Sequence, residues 1–459
     1  MFKSRRSAIV SLFMLVCAAL LAVPQSQTIR AQAAPAGSLT VWCVGFDPHV
    51  NGWKKVIEGY AKKNPAAKVT LEPQGGQADM LAKYKASLAA GNGADIFTTP
   101  GWDVYEFSIA GQLLPLSPQV MTYDDAKKNL FPEYILQSQV DNQLWAMGIP
   151  DPPGDSGIIV NLDALAAAGL KKIDKFDTRQ QLLDYAKKLS VLDNNKLVKA
   201  GLSFQENNGG TYLLSYIIDQ GGKFWDNDKQ EFNFNTPEAK NALQFFLDLY
   251  EKDKVDAIGL PNAIDGMLQG TVNMAFLWPE FMPFASGAAP DKKYGFIMKP
   301  SYNGNTPAIF GHADTWNAVI PKYTTNAPLA YDFMRYLASE EGQLLFLDAN
   351  PGLSPLRSLV LGNDYYKTGK GAYLAPVIDA IRAGRLRYYG PWLDGSSIQY
   401  DIMWTTIEDV MNKRLTVDAG LSQLTKLSNE QIVQSRKRLP NAPKTTIYFD
   451  ALPADLAIK

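Results

Sequence analysis

The apolar positions of residues 39–110 follow two alternating periods. Short runs rich in β-branched and aromatic side chains predict strands, whereas apolar side chains spaced three or four positions apart predict helices. Strands that alternate with helices in this way are typical of βαβ units around a mainly parallel sheet. The strands are predicted at residues 39–44, 68–71 and 94–98, and the helices at residues 53–63, 80–90 and 103–110.

The same alternation returns in the second half of the chain, where capping residues mark the helix starts. Thr178 opens a capping box that leads into an apolar stripe ending at Leu189, and Thr236 with Pro237 supplies a second start. Thr416 is a third candidate N-cap. Strands are predicted at residues 145–149, 157–161, 272–278, 294–298 and 316–320, and further helices at residues 237–250, 326–338, 340–347, 374–382 and 398–411.

Two irregular stretches divide these elements. Residues 150–154 (PDPPG) can extend neither a helix nor a strand, and residues 301–314 are rich in Gly, Asn and Pro. A chain of 459 residues also exceeds the roughly 250–300 residues at which a single hydrophobic core stops growing. We therefore predict an α/β protein of two domains, in which the chain crosses from one domain to the other and returns.

The first 33 residues have the layout of a secretory signal peptide. Basic residues open the chain, an uncharged run follows at residues 9–23, and residues 31–33 (AQA) fit a small-x-small cleavage site. A membrane anchor is the alternative, but this run is short against the roughly 20 apolar residues that a spanning helix needs. We predict export of the protein and cleavage near Ala33.

Composition excludes several classes of partner and chemistry. Lys plus Arg (45) nearly equals Asp plus Glu (46), which gives no electrostatic case for a nucleic acid or an anionic membrane as partner. Cleavage near Ala33 would remove Cys17 and leave Cys43 as the one thiol, so no internal disulfide can form. The sequence has no Cys and His cluster with metal-ligand spacing, no serine elbow and no phosphate loop, and predicts neither a metal nor a cofactor.

A series of short motifs, weak one by one, occurs in a fixed order along most of the mature chain. They are LTVW (39–42), KNP (63–65), LAAG (88–91), ADIF (94–97), AGQLLPL (110–116), LWAMGIP (144–150), VNLD (160–163), AGL (168–170), MLQG (267–270), MAFLW (274–278), AVIP (318–321), FMRYLASEEGQ (333–343) and RLTVDA (414–419). In this order and spacing the chain resembles the extracellular solute-binding proteins of family 1, which include the maltose- and multiple-sugar-binding proteins of ABC importers.

The resemblance implies the two-lobed periplasmic-binding-protein fold (type II), an α/β fold with a ligand cleft between lobes joined by a hinge. Residues 37–150 and 312–360 would form lobe one, and residues 151–311 and 361–429 would form lobe two. Residues 430–459 would be a C-terminal tail that runs past the usual end of the family. Residues 311–316 (GHADTW) also depart from the glycine-rich pattern of relatives, which leaves the identity of the ligand open.

The resemblance also implies a function and partners. The protein would be a monomer in the periplasm, outside the cell or on its surface, without catalytic activity, and it would bind a carbohydrate. The supply of aromatic residues favours an oligosaccharide. Its partners would be a permease pair and a cytoplasmic ATPase. An exported glycosidase using Asp103, Glu280 or Asp314 is the main alternative, because two carboxylates facing a sugar also form a catalytic pair. A binding protein that serves a sensor is the other alternative.

Candidate ligand residues follow from the chemistry of sugars, which have apolar faces and hydroxyl edges. A binding site therefore needs flat aromatic platforms beside hydrogen-bonding side chains, beyond the carboxyl ends of strands. Trp278 and Glu280 end a predicted strand where the resemblance implies a stacking tryptophan, and a core position for Trp278 is the alternative. Trp102 and Asp103 also follow a strand; the resemblance implies a contact from lobe one, and a helix cap with a packed tryptophan is the alternative.

The remaining candidates lie in loops that are expected to face the cleft. A loop at the second crossing must line the cleft, although Trp316 opens an apolar strand and a lone histidine at 312 is more often packed. The resemblance implies that Trp392 and Asp394 close the site from lobe two. Asp47 follows the first strand and is either a rim contact or a solvated loop residue. These candidates are His312, Asp314, Trp316, Trp392, Asp394 and Asp47.

Overall fold

The computed structural model of the chain places one compact unit at Pro35–Lys459. The predicted signal peptide at residues 1–33 lies outside the described residues. None of the described helices is both long and apolar enough to cross a membrane. The described residues are 35–151, 156–205, 209–304, 309–312 (backbone only) and 315–456.

Strands alternate with helices along most of the chain, as the periodicity of apolar residues predicts. The strands are β1 (Gly37–Val44), β2 (Ala67–Gln74), β3 (Ile96–Pro100), β4 (Gln139–Val140), β5 (Gln143–Leu144), β6 (Ala146–Gly148), β7 (Gly157–Asn161), β8 (Val191–Asp193), β9 (Lys196–Lys199), β10 (Trp225–Asp226), β11 (Glu231–Phe232), β12 (Met274–Ala275), β13 (Tyr294–Met298), β14 (Ile309–His312), β15 (Trp316–Val319) and β16 (Leu386–Tyr389).

The helices cover both short connecting turns and long packed segments. They are α1 (Asp47–Lys63), α2 (Gln77–Ala90), α3 (Gly101–Ile109), α4 (Tyr123–Asn129), α5 (Pro132–Ser138), α6 (Leu162–Ala167), α7 (Arg179–Leu189), α8 (Gly209–Asp219), α9 (Pro237–Glu251), α10 (Ala263–Gln269), α11 (Phe281–Ala288), α12 (Ala327–Leu337), α13 (Glu340–Leu347), α14 (Arg357–Gly362), α15 (Asp364–Lys367), α16 (Ala375–Arg382), α17 (Trp404–Met411) and α18 (Val417–Arg438). A 3₁₀ turn at Ala372–Leu374 precedes α16, and a π-helical segment at Ser397–Met403 leads into α17.

A five-stranded sheet, which we call the first sheet, has the strand order β2-β1-β3-β15-β6. Strand β1 is parallel to β2 and β3, whereas β15 is antiparallel to both β3 and β6. Strand β15 enters from far along the chain, so the first sheet is built from two separate parts of the sequence. This insertion fixes Trp316 at the same sheet edge as the end of β3.

A three-stranded sheet, which we call the second sheet, has the order β12-β7-β13, with β7 antiparallel to both neighbours. The prediction of mainly parallel pairing is therefore wrong for this sheet. Strand β12 is also shorter than the predicted strand at residues 272–278, because Val272, before it, and Ala275, within it, make only single bridges to residues 200 and 203 instead of a continuous ladder. The local periodicity of apolar residues does not determine which distant strands pair with each other.

The two irregular stretches lie between strands of different sheets. Residues 150–154 separate β6 of the first sheet from β7 of the second, and residues 301–314 separate β13 from β15. Within the second stretch, β14 pairs in parallel with β16 through residues 309–312 and 386–389. The chain therefore leaves the first sheet and returns to it, as the sequence predicts.

Three of the helices begin at the threonines that the sequence marks as N-caps. The Thr178, Thr236 and Thr416 hydroxyls accept hydrogen bonds from the amides three residues later at 3.1, 3.2 and 3.2 Å. The return hydrogen bond of the capping box predicted at Thr178 is shifted by one residue, because the Gln181 side chain accepts from the amide of Asp177 and not from that of Thr178. Each cap satisfies a backbone donor that has no partner within its helix.

The cap at Thr236 gives a first testable prediction. Thr236→Ala removes the hydroxyl that accepts from the Ala239 amide, so the free energy of unfolding is expected to fall by about 1 kcal/mol. Chemical denaturation followed by circular dichroism measures the change. Thr446→Ala, at an exposed position, is the matched control and is expected to change stability by under about 0.5 kcal/mol. Equal effects of the two substitutions would contradict the capping account.

The segment after α18 packs against several distant parts of the chain. The Tyr105 hydroxyl donates to the carbonyl of Pro443 at 3.1 Å, and the Asn227 side chain donates to the carbonyl of Ile447 at 3.1 Å. Arg357 donates to the carbonyl of Leu456 at 3.3 Å. The boundary expected at residue 430 falls inside α18, and residues 439–456 are an integral, packed part of the compact unit.

Candidate functional site

Asp151 lies where the chain leaves the first sheet, directly after β6. Its carboxylate accepts a hydrogen bond from the backbone amide of Trp316 at 3.0 Å, which ties the two chain crossings together. Its own amide and carbonyl pair with Leu353 at 3.0 and 3.1 Å. Asp151 is buried, so the site holds a carboxyl group away from water.

Glu280 reaches the same place from the second sheet. It follows β12 by a turn in which the carbonyl of Trp278 accepts from the Phe281 amide at 3.1 Å. The Glu280 side chain is only 2% exposed and is hydrogen-bonded to that of Asp151. Its Oε1 atom has no hydrogen-bond partner among the described residues. A carboxyl pair therefore joins the segment after β6 to the segment after β12.

His49 completes a buried cluster. It lies in the first turn of α1, is 3% exposed and meets the Trp316 ring edge-on at a centroid distance of 5.3 Å. One ligand atom from each of His49, Asp151 and Glu280 lies within 4.8 Å of the others. We call these three residues the junction cluster, because they come from three different parts of the chain.

Burial sets the charge of the junction cluster. It lowers the pKa of His49 to about 3, so the imidazole is neutral at pH 7. It also raises the pKa of Asp151, and burial together with the charge of Asp151 raises the pKa of Glu280. Two carboxylates in contact repel each other when both are ionised, which favours the protonated forms of the pair. The site is rich in hydrogen-bond acceptors and carries little net charge.

Aromatic rings flank the junction cluster from both sheets. Trp316 and Trp278 are half-buried, so each keeps part of its ring available. Phe46, just after β1, packs against Phe284 of α11, with the two ring centroids 5.1 Å apart. The arrangement combines partly open aromatic faces with buried acceptors.

Trp102 and Trp392 lie together elsewhere. Their ring centroids are 4.5 Å apart, and both rings are almost completely buried. Trp392 also contacts Phe224, Phe232 and Tyr389 at 6.3, 5.1 and 6.3 Å. Protein side chains cover these faces, so their surroundings match the packing alternative better than a ligand platform.

Asp394 is held by the C-terminal helix. Its carboxylate accepts from Gln431 at 2.8 Å, from Arg438 at 2.5 Å and from the Ser435 hydroxyl. Its backbone amide donates to Glu106 at 3.3 Å, which connects it to α3. With these partners the Asp394 carboxylate has a structural role that the sequence did not indicate.

Asp103 gives a prediction on pH. Its carboxyl accepts from Ser396 at 3.1 Å and from Thr99 at 3.4 Å, and burial raises its pKa to about 7. The folded state therefore keeps a proton that the unfolded chain loses near pH 4. Protonated Asp103 contributes its full stabilisation of the folded state below about pH 4. This contribution to the free energy of unfolding is lost as pH rises through about 7, by at most roughly 1.4 kcal/mol per pH unit.

Comparison of wild type with Asp103→Asn tests this. The stability difference between the two proteins is expected to shift steadily toward the variant as pH rises from 4 to 7, and urea unfolding at each pH measures it. A difference that stays constant over this range would contradict a protonated Asp103. Because both proteins carry the other buried acids, their contributions cancel in the comparison.

The other predicted residues have different outcomes. Asp47 is exposed at the start of α1, and Asp314 lies outside the described residues. Only the backbone of His312 is described, within β14. Sequence reasoning missed Asp151, whose signal was its place in a proline-rich crossing. The structure places Glu280 in the junction cluster and packs Trp316 against His49 of that cluster, and Trp278 lies two residues before Glu280.

Comparison with known proteins identifies the family. The family model of bacterial extracellular solute-binding proteins matches residues 47–344. A putative ABC transporter periplasmic-binding protein, YcjN of Escherichia coli (strain K12), is 25% identical over 232 residues, which are 50% of this chain and 51% of that protein. The chain thus matches about half the length of this curated relative.

Solved structures share the fold at low sequence identity. The substrate-binding protein Lmo0181 from Listeria monocytogenes, in complex with cycloalternan, is 17% identical with a TM-score of 0.73 over 87% of this chain and 100% of that one. A solute-binding protein from Thermotoga lettingae bound with α-D-tagatose is 21% identical, with a TM-score of 0.70 over 86% and 100%. A binding protein from B. animalis subsp. lactis in complex with β-1,6-galactobiose is 18% identical, with a TM-score of 0.70 over 88% and 98%.

These likenesses confirm the fold class expected from the sequence. The structural relatives extend over nearly the whole described chain and match their own full lengths. The α/β architecture with two sheets and two crossings is that of the two-lobed periplasmic binding proteins. With a family model that matches from α1 through most of α13, the chain belongs to the bacterial extracellular solute-binding proteins.

Proposed function

We propose that this protein is the extracytoplasmic solute-binding component of an ABC importer and that its ligand is a carbohydrate, namely an oligosaccharide. Family membership supports the binding role. Three structural relatives were solved with cycloalternan, tagatose and galactobiose, which supports a sugar as the ligand class.

The single observation that carries the sugar proposal is the packing of Trp316 against the junction cluster, with Trp278 two residues before Glu280. A pyranose ring presents C–H groups that stack on an indole and hydroxyls that donate to carboxylates. The Glu280 Oε1 and His49 Nδ1 atoms are buried without partners among the described residues, and a ligand hydroxyl would satisfy them. Trp102, Asp103, Trp392 and Asp394 have protein partners instead and are assigned to packing.

The two lobes of the proposed mechanism are those implied by the sequence. Lobe one comprises residues 37–150 and 312–360, lobe two comprises residues 151–311 and 361–429, and Asp151 lies at the hinge. The open protein would bind ligand on one lobe, and closure would add contacts from the other. The contact between Phe46 and Phe284 is one that opening of the lobes would break.

The proposed role of the protein is to deliver its ligand to the importer and not to catalyse a reaction on it. The Asp151 and Glu280 carboxyls are hydrogen-bonded directly to each other. Glycosidases keep their two carboxyls roughly 5–10 Å apart so that a sugar carbon or a water fits between them. The directly paired carboxyls of Asp151 and Glu280 are suited to accept hydrogen bonds. We propose a monomer, exported by the segment at residues 1–33, that docks on a permease pair served by a cytoplasmic ATPase.

A thermal-shift screen tests the proposed function. The chain from Ala34 onward is heated with mono- and oligosaccharides, and a ligand at 100 times its Kd is expected to add about 2.7 kcal/mol of stability. Chromatography of the same mixtures after incubation detects any cleavage product. A raised melting temperature with one sugar class and no product supports a transport binder. No shift with any carbohydrate would remove sugar from the proposal, and product formation would favour the glycosidase.

A further inference from the structure

The junction cluster has a composition that sugar binding alone does not require. It contains an imidazole and two carboxyls, which are the nitrogen and oxygen ligands that divalent transition ions prefer in proteins. Both His49 and Glu280 are more than nine-tenths buried. Their Nδ1 and Oε1 atoms have no hydrogen-bond partner in the described chain.

The spacing of the cluster fits a bound ion. Ligand atoms of His49, Asp151 and Glu280 lie within 4.8 Å of one another. Three atoms so placed share a point no more than about 2.8 Å from each, and inward shifts of under about 1 Å would give the 2.0–2.2 Å bonds of Zn²⁺. Side-chain adjustments of this size need no change of fold.

The electrostatics of the cluster favour a cation. None of the three residues takes part in an ion pair with a lysine or arginine among the described residues, and Asp151 and Glu280 repel each other when both are ionised. A divalent ion bound between the two carboxyl groups would compensate the negative charge of both.

We propose that His49, Asp151 and Glu280 form a binding site for a divalent transition-metal ion of the Zn²⁺ type. Three protein ligands leave a fourth position for water or for a hydroxyl of a bound solute. The sequence expectation of no metal rested on local spacing, whereas these residues are about a hundred or more positions apart along the chain. The proposal goes beyond carbohydrate binding and does not depend on it.

Calorimetric titration of the EDTA-treated chain from Ala34 with ZnCl₂, without any carbohydrate, tests the site. One equivalent is expected to bind with a Kd in the micromolar range or tighter, with Mg²⁺ binding far more weakly. His49→Gln and Glu280→Gln are each expected to weaken Zn²⁺ binding by at least the roughly 10–100-fold that loss of a supporting residue costs. Glu133→Gln, at another buried glutamate, is the matched control and should bind as wild type does.

Co²⁺ supplies a second readout that a stability change would not mimic. The wild-type Co²⁺ complex is expected to show the visible absorption of a four-coordinate ion, and His49→Gln should lose or shift it. Circular dichroism of each variant establishes that it is folded. No Zn²⁺ binding to the wild type, or binding that all three variants retain equally, would overturn the proposal. Either result would leave the thermal-shift evidence on carbohydrate untouched, so the two proposals fail independently.

Discussion

Trp392→Ala is expected to lower the free energy of unfolding by about 3–5 kcal/mol. The indole is fully buried and packs against Trp102, Phe224 and Phe232, so truncation leaves a large cavity that its aromatic neighbours cannot fill. Guanidinium unfolding followed by far-UV circular dichroism measures the loss. The size of the effect would place Trp392 in the core and not in the ligand site.

Trp278→Ala is the matched comparison for this substitution. Trp278 is half-buried, so its loss is expected to cost only about 1 kcal/mol of stability. If the two alanine variants lost equal stability, or if Trp392→Ala were the milder change, the assignment of Trp392 to packing would be wrong. The pair separates two tryptophans that the sequence placed in one site.

Carbohydrate affinity is expected to respond in the opposite order. Trp278→Ala and Trp316→Ala should each weaken binding by about 1–3 kcal/mol, or roughly 5–150-fold in Kd. Each removes a partly exposed indole, since Trp316 packs against His49 and Trp278 lies two residues before Glu280. Isothermal titration with the sugar found in the screen measures the change.

Trp145→Ala is the control for these two variants. Trp145 is half-buried like them, but it precedes β6, at the opposite end of that strand from Asp151. It is expected to bind the sugar with wild-type affinity. Wild-type affinity in both Trp278→Ala and Trp316→Ala would contradict the proposed site, as would an equal loss in all three variants.

Local signals predicted most of the elements. Thr178, Thr236 and Thr416 cap helices because an N-cap needs only a hydroxyl and an amide three residues away. The helix at Glu340–Leu347 was predicted to the residue. The strands β7 and β13 were also predicted to the residue, but the antiparallel pairing of the second sheet was not, because β12 and β13 both pair with β7 from more than a hundred positions away.

The proposed site divides in the same way. Trp278 and Glu280 were indicated by their position after a predicted strand, and Trp316 by its place at the second crossing, both of which are local signals. Asp151 was missed because its role needs Glu280 as a partner, and no local pattern links the two. Asp394 looked like a ligand residue in a turn, and only the packing of α18 supplies the arginine and glutamine that hold it.

The most direct test is a crystal structure of the chain from Ala34 grown with the carbohydrate that gives the largest thermal shift. The account predicts a sugar ring against Trp278 or Trp316, with hydroxyls at hydrogen-bonding distance from Asp151 or Glu280. A sugar bound at Trp102 and Trp392, or anywhere else away from the junction cluster, would contradict it.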